Sequence, residues 1–190
     1  ILKYRMPEGH ISYIEEDIRQ ALLYMCARKE EFHAERVGVM GASIGGYIAA
    51  MSATSFPPAE RPDFQILLYP VISMLDEWTH LPSRGRLLGK EVTVEEQERL
   101  SLELRVDSAV PPTFMALASD DKAVSPMNSI SYYIALLKEG VSSSLHIYPE
   151  GGHSFAFNDS FVYKKEWTEE LKKWLEQVKC RDLCTPREDL

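Results

Sequence analysis

The sequence is poor in the residues that mark several protein classes. Three cysteines in 190 residues, an odd number, cannot form a disulfide framework. Cys26 falls within an apolar helical pattern and reads as a buried thiol. Cys180 and Cys184 lie in a polar tail without a nearby histidine, which argues against a zinc site. Such thiols fit a reducing compartment and favour the cytoplasm. No apolar run is long enough to span a bilayer, and Ile1 to Pro7 does not read as a signal peptide but as the later part of a longer protein. Positive charge is in deficit: 21 Lys and Arg against 29 Asp and Glu give a formal net charge of −8. That balance excludes nucleic acid and anionic membrane as natural partners. Internal repeats and low-complexity stretches are absent too.

What remains suits one domain over 1–190, with 45% hydrophobic and 26% charged residues. The chain opens without an initiator methionine, and Ile1 to Pro7 reads as a strand entered midway. Ser12-Tyr-Ile-Glu15 matches a capping box. Ile14, Ile18, Ala21, Leu22 and Met25 then recur at helical spacing until Arg28-Lys-Glu-Glu31 closes the helix. A strand at 36–40 and a second helix follow. That alternation favours a parallel sheet with helical crossovers.

Residues 55–63 are proline-rich and read as a loop, and Phe64 to Tyr69 as a buried strand ended by Pro70. Residues 71–110 carry too little periodic apolar sequence to fold alone. They include a second capping box, Thr93-Val-Glu-Glu96, and read as a cap-like insertion over the active edge of the sheet. Further strands are expected at 112–118 and 143–148. Between them a helix at 127–139 turns Ile130, Ile134 and Leu137 to the core and stops at Gly140. The last helix carries Trp167, Leu171, Trp174, Leu175 and Val178 on one stripe, and 181–190 reads as a frayed tail.

The chemistry centres on Gly41-Ala-Ser-Ile-Gly45, placed between a strand and a small-residue helix. This is the G-x-S-x-G pattern of a nucleophile elbow, where a strained turn lifts the serine hydroxyl clear of the sheet. Flanking glycines are expected where side chains would collide. Ile44 opens the helix, so its backbone N–H faces a developing oxyanion. The bland alternative is a tight turn with Ser43 as an ordinary helix cap.

A serine hydroxyl needs a base within hydrogen-bond reach, and the base needs an orienting carboxylate. Among five histidines, His153 stands just past the last strand, on a loop made pliable by Gly151 and Gly152. His10 and His33 lie near helix ends and read as solvated, His80 in the insertion could line the site but reads first as a surface residue, and His146 is a mid-strand structural residue. The acid is Asp120 or Asp121. Asp121-Lys-Ala-Val-Ser-Pro126 favours Asp121, with the valine packing back and the proline opening the next helix, and leaves Asp120 as a neighbour or cap. Ser43, Asp121 and His153 then follow one another at the carboxyl ends of successive strands.

Gly41 to Gly46, Leu67-Leu-Tyr-Pro70, Pro111-Pro-Thr-Phe114, Asp120-Asp121, Asn128-Ser129 and Pro149-Glu-Gly-Gly-His153 together resemble one branch of the α/β-hydrolase superfamily. It is the acetyl-esterase or carboxylesterase-like group, often labelled xylan or feruloyl esterase and loosely "xylanase". Tyr4-Arg-Met-Pro7 resembles the strand that precedes the helix before its elbow, and the likeness spans roughly residues 4–175. It implies a three-layer sandwich with a mostly parallel sheet. Ser43 would be the nucleophile, His153 the base and Asp121 the acid, acting on short acyl esters, including acylated sugars, without metal or cofactor. It also implies a Gly-rich loop before residue 1 as second oxyanion donor, and about three N-terminal strands, upstream of this sequence, that would keep the first strand here and strand 36–40 from being neighbours. On that expectation the sheet has exposed edges open to self-association. Two other readings share the signals: a prolyl-oligopeptidase-type serine peptidase, and an inactive hydrolase-fold module. A dienelactone-hydrolase-like reading would require cysteine at position 43.

Overall fold

The computed structural model describes residues 1–181, with side chains described through 179; of the tail expected at 181–190 only Arg181 is described, as a helical residue, and the rest, with Cys184 and the side chain of Cys180, lies outside the described residues. Four short strands carry the architecture: β1 (Val39–Ala42), β2 (Gln65–Leu68), β3 (Thr113–Ala118) and β4 (Ser143–Tyr148). They lie in the order β1-β2-β3-β4 with every pairing parallel, as βαβ alternation requires. Six helices are described: α1 (Ile11–Cys26), α2 (Ile44–Thr54), α3 (Leu81–Leu88), α4 (Val94–Leu100), α5 (Met127–Lys138) and α6 (Lys164–Arg181).

Each residue of β2 and β3 is buried, because both faces of the sheet are covered. Leu67 and Met115 face the core formed with α1, α2 and α5. Ile66, Leu68, Phe114 and Ala116 face Trp167, Trp174 and Val178 of α6. The stripe expected on α6 is therefore its core face, with Leu171 and Leu175 packed at its margin.

Four local expectations change. Residues 1–7 form no strand. The backbone N–H and guanidinium of Arg5 bond instead to Asp17, and the guanidinium also reaches Glu16, so the segment is tied to α1. α1 starts at Ile11 behind His10, without the Ser12 capping box, and its buried face ends at Leu22. One turn further, Cys26 is an exposed thiol. α5 turns Asn128, Ser129, Tyr132 and Leu136 inward, leaving Ile134 and Leu137 exposed. The reason is polar: Asn128 Oδ1 accepts from Ile72 and Ser73 N–H, and the Tyr132 hydroxyl accepts from Gln65 Nε2. Buried partners outweigh a modest apolar stripe.

Residues 71–110 do not stand apart from the body of the protein. Val71, Ile72, Met74, Leu87, Leu100, Leu102 and Val110 belong to the same core as α1 and α2. α4 has its expected capping box, with Thr93 Oγ1 accepting from Glu96 N–H and the Glu96 carboxylate accepting from Thr93 N–H. Among the described residues nothing pairs with the outer edge of β1, where Met40 is exposed. An apolar groove of about 780 Å³ runs there, lined by Leu2, Tyr4, Leu22, Met40, Ile48 and Phe157 among others.

Candidate active site

β1 enters the ladder at Val39 rather than 36, because Val37 N–H and C=O are engaged by Asp63, through its carboxylate and its backbone N–H. The strand then runs to Ala42, and Ser43 turns the chain with φ 55 and ψ −124, angles that L-residues adopt only when their surroundings hold them. Ser43 N–H donates to Leu68 C=O, and its own C=O accepts from Gly46, Tyr47 and Val71 N–H. A Cβ on Gly41 would lie 2.0 Å from Gly45 O, and one on Gly46 2.6 Å from Pro70 Cβ. A Cβ on Gly45 would meet nothing within 4 Å. Crowding thus requires glycine at 41 and 46, not at 45 as the five-residue pattern suggests.

Ser43 makes no side-chain cap on α2, which removes the helix-cap alternative. Its Oγ lies 2.9 Å from His153 Nε2, and His153 Nδ1 lies 2.7 Å from Asp121 Oδ2. A carboxylate only accepts, so it holds the imidazole proton on Nδ1 and leaves Nε2 to accept from the serine hydroxyl. Asp121 is buried, and its Oδ1 accepts from Ala123 and Val124 N–H at 2.9 and 3.0 Å. Val124 packs into the core and Pro126 precedes α5, as the spacing predicts. Ile44 is the first residue of α2, at the positive end of its dipole.

Three further residues bear on this group, two by contact and one by its charge. Tyr69 has φ 36, is buried, and sets its ring edge-on to His153 with centroids 5.0 Å apart. Burial, reinforced by the charge of Asp121, pushes its hydroxyl up to about 12, so it stays neutral. Asp120 Oδ1 accepts from Gly152 N–H at 2.8 Å, one residue before the histidine. His80 is half-buried rather than a surface residue, its Nδ1 2.8 Å from Ser83 Oγ. Its pKa is held below the ordinary value, first by burial and then by the proximity of His153, with Asp121 opposing. No periodic signal marks these three: Asp120 is legible as the neighbour of the favoured acid and His80 as a histidine of the insertion, while nothing local marks Tyr69. His146 is structural as expected, stacked on Phe114 and 2.7 Å from Ser144 Oγ, and His10 and His33 are exposed. Among the described residues no group of three acidic, histidine or cysteine side chains is placed to hold a metal, and no helix is long and apolar enough to cross a membrane.

An acetylxylan esterase of Xylanibacter ruminicola is 33% identical to this chain across its whole length, while the chain covers 40% of that enzyme. The acylamino-acid-releasing enzyme of Mus musculus is 23% identical over 84% of this chain and 24% of its own. The chain thus spans less than half the length of these curated relatives. A crystal structure of an acetyl ester-xyloside bifunctional hydrolase from Caldicellulosiruptor lactoaceticus superposes with a TM-score of 0.86 at 34% identity, covering 93% of this chain and 70% of that one. The fold is that of the α/β hydrolases, and a family model matches residues 12–180. By that match, the chain belongs to the prolyl oligopeptidase family.

Proposed function

We propose that this chain carries the catalytic residues of a serine esterase that cleaves short-chain carboxylic esters, acetyl groups on sugars among them, through an acyl-enzyme. The observation that carries the proposal is the unbroken hydrogen-bonded series from Ser43 Oγ through His153 to Asp121. The likeness to an acetylxylan esterase and to an acetyl ester-xyloside hydrolase supports esters as the substrate class.

In this reading Ser43 Oγ attacks the ester carbonyl while His153 Nε2 takes its proton, and Asp121 stabilises the imidazolium. The tetrahedral oxyanion accepts from Ile44 N–H. His153 then returns the proton to the departing alkoxide, leaving acyl-Ser43. Water, deprotonated by the same Nε2, attacks the acyl carbon; the acyl C–O bond to Ser43 breaks, His153 returns the proton to Ser43 Oγ, and the carboxylic acid leaves. The chemistry calls for no metal and no organic cofactor. Residues 71–110 serve as a cap over the substrate side, a role supported by His80, which lies within electrostatic reach of His153 and Asp121. The edge of β1, which no described strand pairs, supports association of two copies. The complete protein is expected to hydrolyse p-nitrophenyl acetate, and Ser43→Ala to reduce the rate to background. Unchanged hydrolysis in that variant would sink the assignment.

A second reading, a serine peptidase releasing acylated amino acids, is favoured by the family match and by the acylamino-acid-releasing relative. Comparing kcat/KM for an acetylated amino-acid p-nitroanilide with that for p-nitrophenyl acetate separates the two: preference for the anilide establishes the peptidase.

A further inference from the structure

β3 and β4 end side by side, Ala118 opposite Tyr148, so the two loops that leave them depart together. Three consecutive residues of the first loop each take hold of the second. Ser119 N–H donates to Tyr148 C=O and Ser119 Oγ donates to Pro149 C=O at 2.9 Å. Asp120 Oδ1 accepts from Gly152 N–H at 2.8 Å, and Asp121 Oδ2 meets His153 Nδ1 at 2.7 Å.

The second loop needs such an anchor. Gly151 and Gly152 have φ of 143 and 60, open to glycine without strain but leaving the backbone before His153 free to take many other conformations, and Ser154 after it has φ 69, which a residue with a side chain keeps only when its surroundings hold it. Gly151 is further confined, since a Cβ there would lie 2.5 Å from the Phe161 ring. Asp120 supplies a charge-assisted acceptor to the peptide next to the base.

We propose that Asp120 is a positioning residue for the reaction. Its carboxylate fixes the Gly151-Gly152 turn, and through that turn sets the reach of His153 to Ser43. The two adjacent aspartates thus divide the work: Asp121 orients the imidazole ring, and Asp120 places the backbone that carries it. This proposal rests on the serine-esterase reading, because it concerns the distance between His153 Nε2 and Ser43 Oγ.

The test uses p-nitrophenyl acetate hydrolysis by the complete protein, with activity referred to folded protein by near-ultraviolet circular dichroism. Displacing a catalytic group by an ångström costs on the order of 100-fold, so Asp120→Ala is expected to lower kcat by about 10- to 100-fold with little change in KM. Labelling of Ser43 by a fluorophosphonate should slow in parallel. Asp120→Asn keeps an oxygen that accepts the same bond and should recover most of the lost turnover. A residue with a purely structural role would lower the melting temperature and leave kcat per folded molecule unchanged. That result overturns the proposal, as does an Asp120→Asn variant as impaired as Asp120→Ala. If the alanine variant does not fold, Asp120→Glu keeps the charge and moves the acceptor: reduced kcat supports the proposal and full kcat overturns it. Ser43→Ala, run alongside, separates the two levels, because survival of hydrolysis in that variant refutes the esterase reading itself.

Discussion

Ser43 occupies a backbone conformation that costs on the order of 1–3 kcal/mol, and it is held there by four backbone hydrogen bonds, one through its N–H and three to its carbonyl. Tyr69, on the neighbouring strand end, is strained in the same sense and supports the imidazole from the side. The buried Asp121 meets His153 with one oxygen and two backbone N–H groups with the other. Asp121→Asn should therefore preserve the turn, since an amide oxygen can still accept from Ala123 and Val124. It removes the acceptor-only partner that keeps the proton on Nδ1, and kcat is expected to fall by about 10⁴-fold. Steady-state hydrolysis with a circular-dichroism check on folding measures this, and a loss smaller than about tenfold would remove Asp121 from the role of acid.

At the scale of elements, the elbow shows which parts of a motif are steric. Gly41 abuts the carbonyl of Gly45, a backbone atom that cannot move aside, whereas Gly45 faces open space. Gly41→Ala is expected to disrupt the strand-to-helix turn and abolish labelling of Ser43. Gly45→Ala should fold without loss, and because Gly45 is in the first turn of α2 its gain should stay below the roughly 1 kcal/mol that the exchange brings in a helix interior. Urea denaturation of both variants checks the contrast, and equal destabilisation would contradict the steric account. α5 and α6 illustrate when a helix face can be read from sequence. α6 buries tryptophans whose area dominates its orientation, so its stripe was legible. α5 is oriented by Asn128 and Tyr132, whose partners Ile72, Ser73 and Gln65 are more than fifty residues away in sequence. Helical periodicity carries no information about such pairings.

At the scale of the whole molecule, two half-buried histidines couple stability to pH. Burial lowers the pKa of both His80 and His146 below their ordinary 6.5; His153 lowers that of His80 further, and Glu170 partly offsets the effect for His146. The unfolded chain binds these protons at a higher pH than the folded chain does. Their contribution is thus intact above pH 6.5 and is lost as pH falls toward the lowered folded values. The urea midpoint should decline from pH 7 to 5, and His80→Gln with His146→Gln should make that decline shallower. An unaltered slope in the double variant would refute the coupling. The sheet itself is closed on both faces but open at β1, where apolar side chains surround an edge that no described strand covers.

Short-range chemistry alone determined the parallel α/β order, the serine at an elbow, an acid and a histidine after later strands, and the α4 capping box. Each is written in residues close together in the chain: glycines beside a serine, a valine and proline after an aspartate, paired glycines before a histidine. Tertiary structure decided what depends on distant partners. It chose Asp121 over Asp120 for the imidazole and gave Asp120 the turn. It set Tyr69 against His153, put His80 within electrostatic reach of it, rotated α5 and left Cys26 exposed. Hydrogen bonds and burial between segments tens of residues apart settle such choices, and no local pattern of side chains encodes them.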